Sequence, residues 1–301
     1  MAGKSSAAGA GDGGTRDGGA GGLQGLRVCL FESRKGSELA GLIARQGGVP
    51  TVAPSMREVP LEENRAAQEL AHEVSGGGVG VVVFLTGVGA RAWYDVAALA
   101  GGGEAFLAGL RRCRVVVRGP KPAVVLREWQ VPIAVQVPEP NTWRELLEAI
   151  QQLGDLRGVR VAVQEYGVPN QALYDGLAAL GAEVLAVPVY RWALPEDLGP
   201  LREAVRGVAA GAFDCLVFTS AQQWHHVGQI AAEQGVQEAF LEQAGRGVVA
   251  SIGPTATETL VAGGLPPDIE PEHPKMGHLA IALGRHAVEV LRAKRRTPGM
   301  S

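Results

Sequence analysis

Short apolar runs recur along the chain at Val28–Phe31, Val81–Phe84, Val115–Val117, Val159–Val163, Val184–Val189, Cys215–Phe218 and Val248–Ile252. Each is nearly continuous rather than alternating. Strands of this kind are covered on both faces, as in parallel sheets. Between them the polar and apolar positions fall at helical spacing over Glu38–Gln46, Ala90–Ala100, Thr142–Leu153, Asn170–Leu180 and Ala221–Glu233. Strand and helix therefore alternate, which predicts an α/β fold with parallel sheets.

The pattern repeats. Arg27–Glu32 (RVCLFE) matches Arg160–Glu165 (RVAVQE) at an offset of 133, and Gly47 and Pro54 match Gly181 and Pro188 at 134. Phe84–Thr86 matches Phe218–Ser220, Arg118–Pro120 matches Ile252–Pro254, and Val131–Pro132 matches Leu265–Pro266, all at 134. A constant offset over a hundred residues points to two copies of one α/β unit, about 26–150 and 158–292. Met56 is the counterpart of Tyr190 at this offset.

Two such units imply a cleft, with ligand contacts in the loops beyond the carboxyl ends of strands. The repeat landmarks fall there: Thr86-Gly87, Thr219-Ser220, Gly119-Pro120 and Gly253-Pro254. Backbone N–H groups at a helix start, joined by hydroxyls, suit an anion. Each of these positions is equally consistent with ordinary capping by Ser or Thr, or with Pro in the first helical turn. A ligand with several carboxylates or phosphates is expected. Lys121 and Arg118 flank one cleft loop and are candidate contacts for acidic groups. Tyr190, where the chain crosses between units, is a candidate proton donor, or else an interface packing residue.

Composition narrows the chemistry. The chain has 301 residues and 43 glycines, ten of them in residues 1–25, which read as a flexible Gly-rich tail. The other glycines are spread without a collagen period, and Gly119 and Gly253 are expected to let a ligand approach the main chain. Net charge is −3 with no long basic block, so broad nucleic-acid binding is not expected. Cys29, Cys113 and Cys215 match neither a zinc spacing nor a disulfide framework and read as buried thiols. No run is long and apolar enough to span a membrane, and the N-terminus lacks a secretory pattern; a cytoplasmic protein is expected. His225 and His226 are adjacent rather than four apart, and no metal cluster, paired acids or activated nucleophile stands out. GxGxxG and GxxxxGK[ST] are absent. The reaction should rest on positioning and modest proton transfer.

Several segments resemble the uroporphyrinogen-III synthase family: Val187–Arg191 (VPVYR), Val217–Ser220 (VFTS), and Ser251–Ala256 (SIGPTA) followed by Gly264–Pro266 (GLP). With the repeat, the similarity covers about 26–292. It implies two α/β domains joined by a two-stranded connector: 26–54 and 191–292 in domain 1, 57–188 in domain 2, and tails at 1–25 and 293–301. It also implies cofactor-independent closure of hydroxymethylbilane to uroporphyrinogen III with ring D inverted and water lost, by a monomer needing no metal. Tyr190 matches the family's proton donor. Thr219, Ser220, Ala221, Gly253 and Thr255 match domain 1 substrate positions, and Thr86, Gly87, Arg118, Gly119 and Lys121 stand at the domain 2 positions. There the sequence departs from the family: Phe84-Leu85-Thr86-Gly87 replaces Phe-Thr-Ser, and Gly119-Pro120-Lys121-Pro122 replaces a Thr-containing loop. That departure leaves a second reading, a non-catalytic tetrapyrrole-binding or regulatory module of the same fold. A two-lobed periplasmic-type binding protein is a third, disfavoured by the missing secretory pattern.

Overall fold

The computed structural model describes residues 22–61 and 64–296. The first half of the chain forms β1 (Arg27–Leu30), α1 (Gly36–Arg45), β2 (Val49–Val52), β3 (Arg57–Pro60), α2 (Arg65–Gly76), β4 (Val81–Phe84), α3 (Gly87–Leu99), α4 (Gly103–Leu110), β5 (Arg114–Val117), α5 (Pro120–Glu128), β6 (Val135–Gln136) and α6 (Trp143–Gln151). The second half gives β7 (Arg160–Gln164), α7 (Gln171–Ala179), β8 (Glu183–Val187), β9 (Tyr190–Ala193), α8 (Gly199–Ala209), β10 (Cys215–Phe218), α9 (Ala221–Glu233), α10 (Gln237–Arg246), β11 (Val248–Ser251), α11 (Pro254–Ala262) and α12 (Met276–Arg296). The internal repeat is thus visible element by element. From β4/β10 through α5/α11 every helix and strand starts again 134 residues later, and β1/β7 and β3/β9 recur at 133.

The strands form two parallel sheets, β11-β10-β1-β2 and β6-β5-β4-β7-β8, linked by the antiparallel pair β3-β9. Order and direction are the same in both sheets once repeat equivalents are matched. Each sheet nevertheless combines strands from both halves: β1 pairs with β10 and carries β2 on its other edge, while β7 pairs with β4 and carries β8. The chain begins one sheet, crosses on β3, builds the second sheet, and returns on β9. This is an α/β fold of two similar parallel-sheet units.

The continuous Val runs are explained by coverage on both faces. Along β4, Val82 and Phe84 pack in one core and Val81 and Val83 in another, on opposite sides of the sheet. In β1, Cys29 faces one core while Val28 and Leu30 face the other. Each side chain buried this way contributes about 1.5–3 kcal/mol relative to exposure.

Several expectations need correction. Residues 22–25 are not tail: Leu23 is fully buried, its N–H donates to the Gln46 carbonyl at 2.7 Å, and Gly22 N–H donates to the Gly284 carbonyl at 2.8 Å. The rest of the expected N-terminal tail lies outside the described residues. Residues 293–296 continue α12, where Lys294 and Arg295 form ion pairs, so the expected C-terminal tail is shortened; 297–301 also lie outside. Tyr190 opens β9 as Arg57 opens β3, so Arg57, not the buried Met56, is its repeat counterpart. Cys29 and Cys215 are buried strand residues, but Cys113 sits half-buried in the turn before β5, its thiol donating to the Val79 and Gly109 carbonyls.

Candidate active-site cleft

The carboxyl ends of the two sheets face one another across the β3-β9 connector. Ion pairs join the halves or tie them to the connector. Arg34, after β1, pairs with Glu58 of β3 at 2.7 Å. Arg144 of α6 pairs with Glu258 of α11 at 2.8 Å. Glu139, before α6, meets both His273 (3.0 Å) and Lys275 (2.9 Å), which precede α12. Glu139 and His273 are themselves repeat equivalents, 134 apart, so matching loops of the two units touch.

Tyr190 occupies the centre. It is only 4% exposed and packs in a core cluster, as an interface residue would. Its hydroxyl nevertheless reaches the cleft edge, 3.3 Å from the Thr86 hydroxyl. Burial pushes its pKa up to about 12; the Thr86 contact, Arg34 and Arg118 oppose the rise and Glu58 adds to it. The phenol therefore stays protonated at neutral pH and is available as a hydrogen-bond donor. Trp192 holds its ring edge-on at 5.3 Å, and Trp192 Nε1–H donates to the Tyr166 carbonyl at 2.6 Å. Gly167 is required beside them: its φ is +93°, and a Cβ would lie 2.5 Å from Trp192 Nε1.

The sequence-predicted loops after β4 and β10 cap the helices that follow them, with unequal roles. Thr86 caps α3 by accepting from Gly89 N–H at 2.9 Å, and Gly87 opens that helix. Its equivalent Ser220 caps α9 on Gln222 N–H at 3.3 Å, and Ala221 opens that helix. Thr219 is already engaged: its N–H donates to Gln223 Oε1 at 2.7 Å and its hydroxyl to Glu32. In the other unit Leu85 stands where Thr219 does, and Gly89 where Gln223 does. The space Gly89 leaves is filled by Gln164 from β7, whose Oε1 accepts from Thr86 N–H at 3.1 Å. One glutamine amide thus serves each loop, supplied from a different strand or helix.

Gly119 and Gly253 immediately precede α5 and α11, with Pro at each first helical position. Both are extended (φ −175° and 165°), and the Cβ each lacks would meet the Asn141 side-chain amide at 3.1 Å or Pro274 Cβ at 3.0 Å. Their smallness admits the protein's own loops. Thr255 lies on the exposed first turn of α11. His226 is not a ligand either: its ring lies 2.7 Å from the Ser55 carbonyl and 2.9 Å from the Gln222 amide. Among the described residues no cluster of metal-ligating side chains occurs.

Charge collects on one side of the cleft. Arg118 lies with its guanidinium 5.1 Å from the Tyr166 ring, and burial lowers its pKa. Lys121's pKa is also lowered, first by loss of water around its ammonium and then by Arg34, Lys35 and Arg118, with Glu32 opposing. Arg34 and Lys35 come from the opposite unit, a convergence that the sequence reading missed; only the fold brings residues 34 and 118 together. A hollow of about 740 Å³ between α10 and α12 is a poorer candidate. Its cations Arg246, Lys294 and Arg295 are already paired with Glu242, Asp268 and Asp214.

The sequence profile of the family described as uroporphyrinogen-III synthase HemD matches residues 37–281. The chain belongs to this family. Its relatives include the uncharacterized protein YjjA of Bacillus subtilis, 29% identical over 276 residues, 89% of this chain and 98% of that protein. A Methanothermobacter thermautotrophicus protein, provisionally named a uroporphyrinogen-III synthase, is 30% identical over 234 residues, 77% of this chain and 87% of its own length. Among solved structures, a mutant uroporphyrinogen III synthase of Thermus thermophilus shares the fold with a TM-score of 0.65 at 21% identity, covering 90% of this chain and 99% of that one. A second crystal form of the Thermus enzyme, wild type, gives 0.52 at 25% identity over 88% and 98%. Among the described residues no helix is long and apolar enough to cross a membrane.

Proposed function

We propose that the chain is a uroporphyrinogen-III synthase, closing hydroxymethylbilane to uroporphyrinogen III with inversion of ring D and loss of water. Family membership and the buried, protonated Tyr190 at the cleft edge support this reading. The electron-rich pyrrole expels its hydroxymethyl oxygen as Tyr190 supplies the proton that makes water the leaving group. The substituted carbon of ring D attacks the azafulvene so formed, giving a spiro intermediate. Fragmentation and reclosure invert the ring, and the proton released on rearomatisation restores the phenol. No step requires a cofactor. The cleft's contribution is to hold the chain ends in the attacking geometry, and orientation of this kind can supply several kcal/mol. Thr86, Gly87, Gly119, Ser220, Ala221, Gly253 and Thr255 stand on the loops that would line the bilane, while Arg118 and Lys121 supply charge for its eight carboxylates.

One observation favours the alternative, a binding or regulatory module that has lost catalysis. The Thr219 N–H and hydroxyl are both engaged internally, and Leu85 removes the matching hydroxyl in the other unit. Assay with freshly generated hydroxymethylbilane decides between them. Isomer III above the uncatalysed background supports the enzyme; tetrapyrrole binding with isomer I only, at the spontaneous rate, supports the module. As further parts of the proposal, the protein works as a cytoplasmic monomer without nucleic-acid or membrane partners.

A further inference from the structure

The guanidinium of Arg118 has no carboxylate within ion-pairing distance among the described residues, although burial removes water from it. Its neighbours are the Tyr166 ring at 5.1 Å and the hydroxyl end of Tyr190. The loop carrying it is fixed: with its amide nitrogen turned inward, Asn141 donates to the Arg118 carbonyl at 2.7 Å. A partly desolvated cation without a counter-ion costs stability, and such groups are normally paired. Across the connector, Arg34 lies 5.9 Å from the Trp192 ring, oriented by one bond to Glu58, while its side chain remains 58% exposed. Most of its donor fork is therefore free. Linking the two cations are Trp192 and Tyr190, in 5.3 Å edge contact, and Tyr166, whose main-chain carbonyl accepts from Trp192 Nε1–H at 2.6 Å.

Two planar cations beside aromatic rings suit a flat, electron-rich ring bearing carboxylates on opposite edges. Arg binds carboxylate bidentately and stacks, which Lys does not. We propose that Arg118 and Arg34, one from each unit, form a specificity-determining carboxylate clamp that seats one acidic pyrrole ring against Tyr166 and Trp192, beside the Tyr190 hydroxyl. The proposal rests on the reading of the cleft as a tetrapyrrole site, and deepens it.

The test is fluorescence titration of the full chain with an octacarboxylate porphyrin and a tetracarboxylate porphyrin, alongside the isomer assay. Arg118→Gln and Arg34→Gln should each weaken octacarboxylate binding roughly tenfold or more, as expected for a charge-assisted bond. They should narrow the preference over the tetracarboxylate ring and raise the isomer I share of any product. Arg118→Lys, which keeps the charge and guards against misfolding of the Gln variant, should recover only part of the loss. Gln variants that are folded by circular dichroism and bind both porphyrins within twofold of wild type overturn the clamp, even if wild type makes isomer III. Wild type making no isomer III, with porphyrin binding still lost in the Gln variants, leaves the clamp standing and removes the synthase reading.

Discussion

At Tyr190 a buried aromatic body and a polar tip serve different ends. The ring completes a core cluster, while the hydroxyl meets Thr86 at 3.3 Å. Tyr190→Phe keeps the packing and removes the proton. Turnover of hydroxymethylbilane should fall on the order of a hundredfold, the usual range for a lost general acid, while porphyrin binding measured by titration changes little. An unchanged rate would strip Tyr190 of its proposed role without touching the fold. The raised pKa has a second consequence. A folded-state pKa of about 12 against about 10 unfolded means that the native state holds this proton more tightly. Its contribution to stability is full below about pH 10 and is lost as pH climbs towards 12. The melting temperature should decline over that window, and less steeply in Tyr190→Phe.

At the scale of elements, close approach and buried charge decide which substitutions matter. Gly109 on α4 lies against α2, and a Cβ there would sit well inside contact distance of the Val74 carbonyl. Ala in a helix is ordinarily favourable. Here the obstacle is backbone that cannot rotate away, so Gly109→Ala should destabilise by about 1–3 kcal/mol in urea unfolding. Asp214, at the head of β10, ties β1 and α12 together: it accepts from Arg27 N–H at 2.9 Å, Arg27 Nε at 3.0 Å and Arg295 at 2.9 Å. Burial works to raise its pKa, but these donors lower it on balance. That stability is present above the ordinary carboxylate range, near pH 4, and is lost on acidification through the folded value. Asp214→Asn should cost about 1–3 kcal/mol at pH 7 by denaturant titration, because two cations lose their partner.

For the whole molecule the rim pairs hold the two units together. Glu139 with His273 and Lys275, and Arg144 with Glu258, lie at the surface, where salt weakens such pairs. Lys275 and His273 hold the Glu139 carboxyl below its usual range. The contact is therefore kept above about pH 4 and weakens as the carboxyl protonates. Glu139→Gln combined with Arg144→Gln should raise the radius of gyration in small-angle scattering towards that of wild type in high salt, with the melting temperature nearly unchanged. A radius insensitive to both would mean that the β3-β9 connector alone fixes the cleft.

Much of this was legible in the sequence because it depends on local chemistry. The Val runs marked β4 and β10 with both bounds, since a strand covered on two faces excludes polar residues throughout. Ser220 and Asn170 marked helix starts because an orphan N–H needs a local acceptor. The constant offset disclosed the repeat. Strands such as β2 and β3, half-exposed and interrupted by Pro, carried too weak a pattern. Glycine at 119 and 253 announced close approach but not what approaches; the answer, Asn141 and Pro274, lies in loops distant in sequence. The sequence by itself thus determined the two-layered strand chemistry, the duplicated unit and Tyr190 as the residue to watch. Tertiary structure alone decided that Gln164 takes the place of Gln223, and that Arg34 of one unit and Arg118 of the other both act on Tyr190. Periodicity and capping act within a few residues, whereas pairing, counter-charge and clefts are set by which distant surfaces fit.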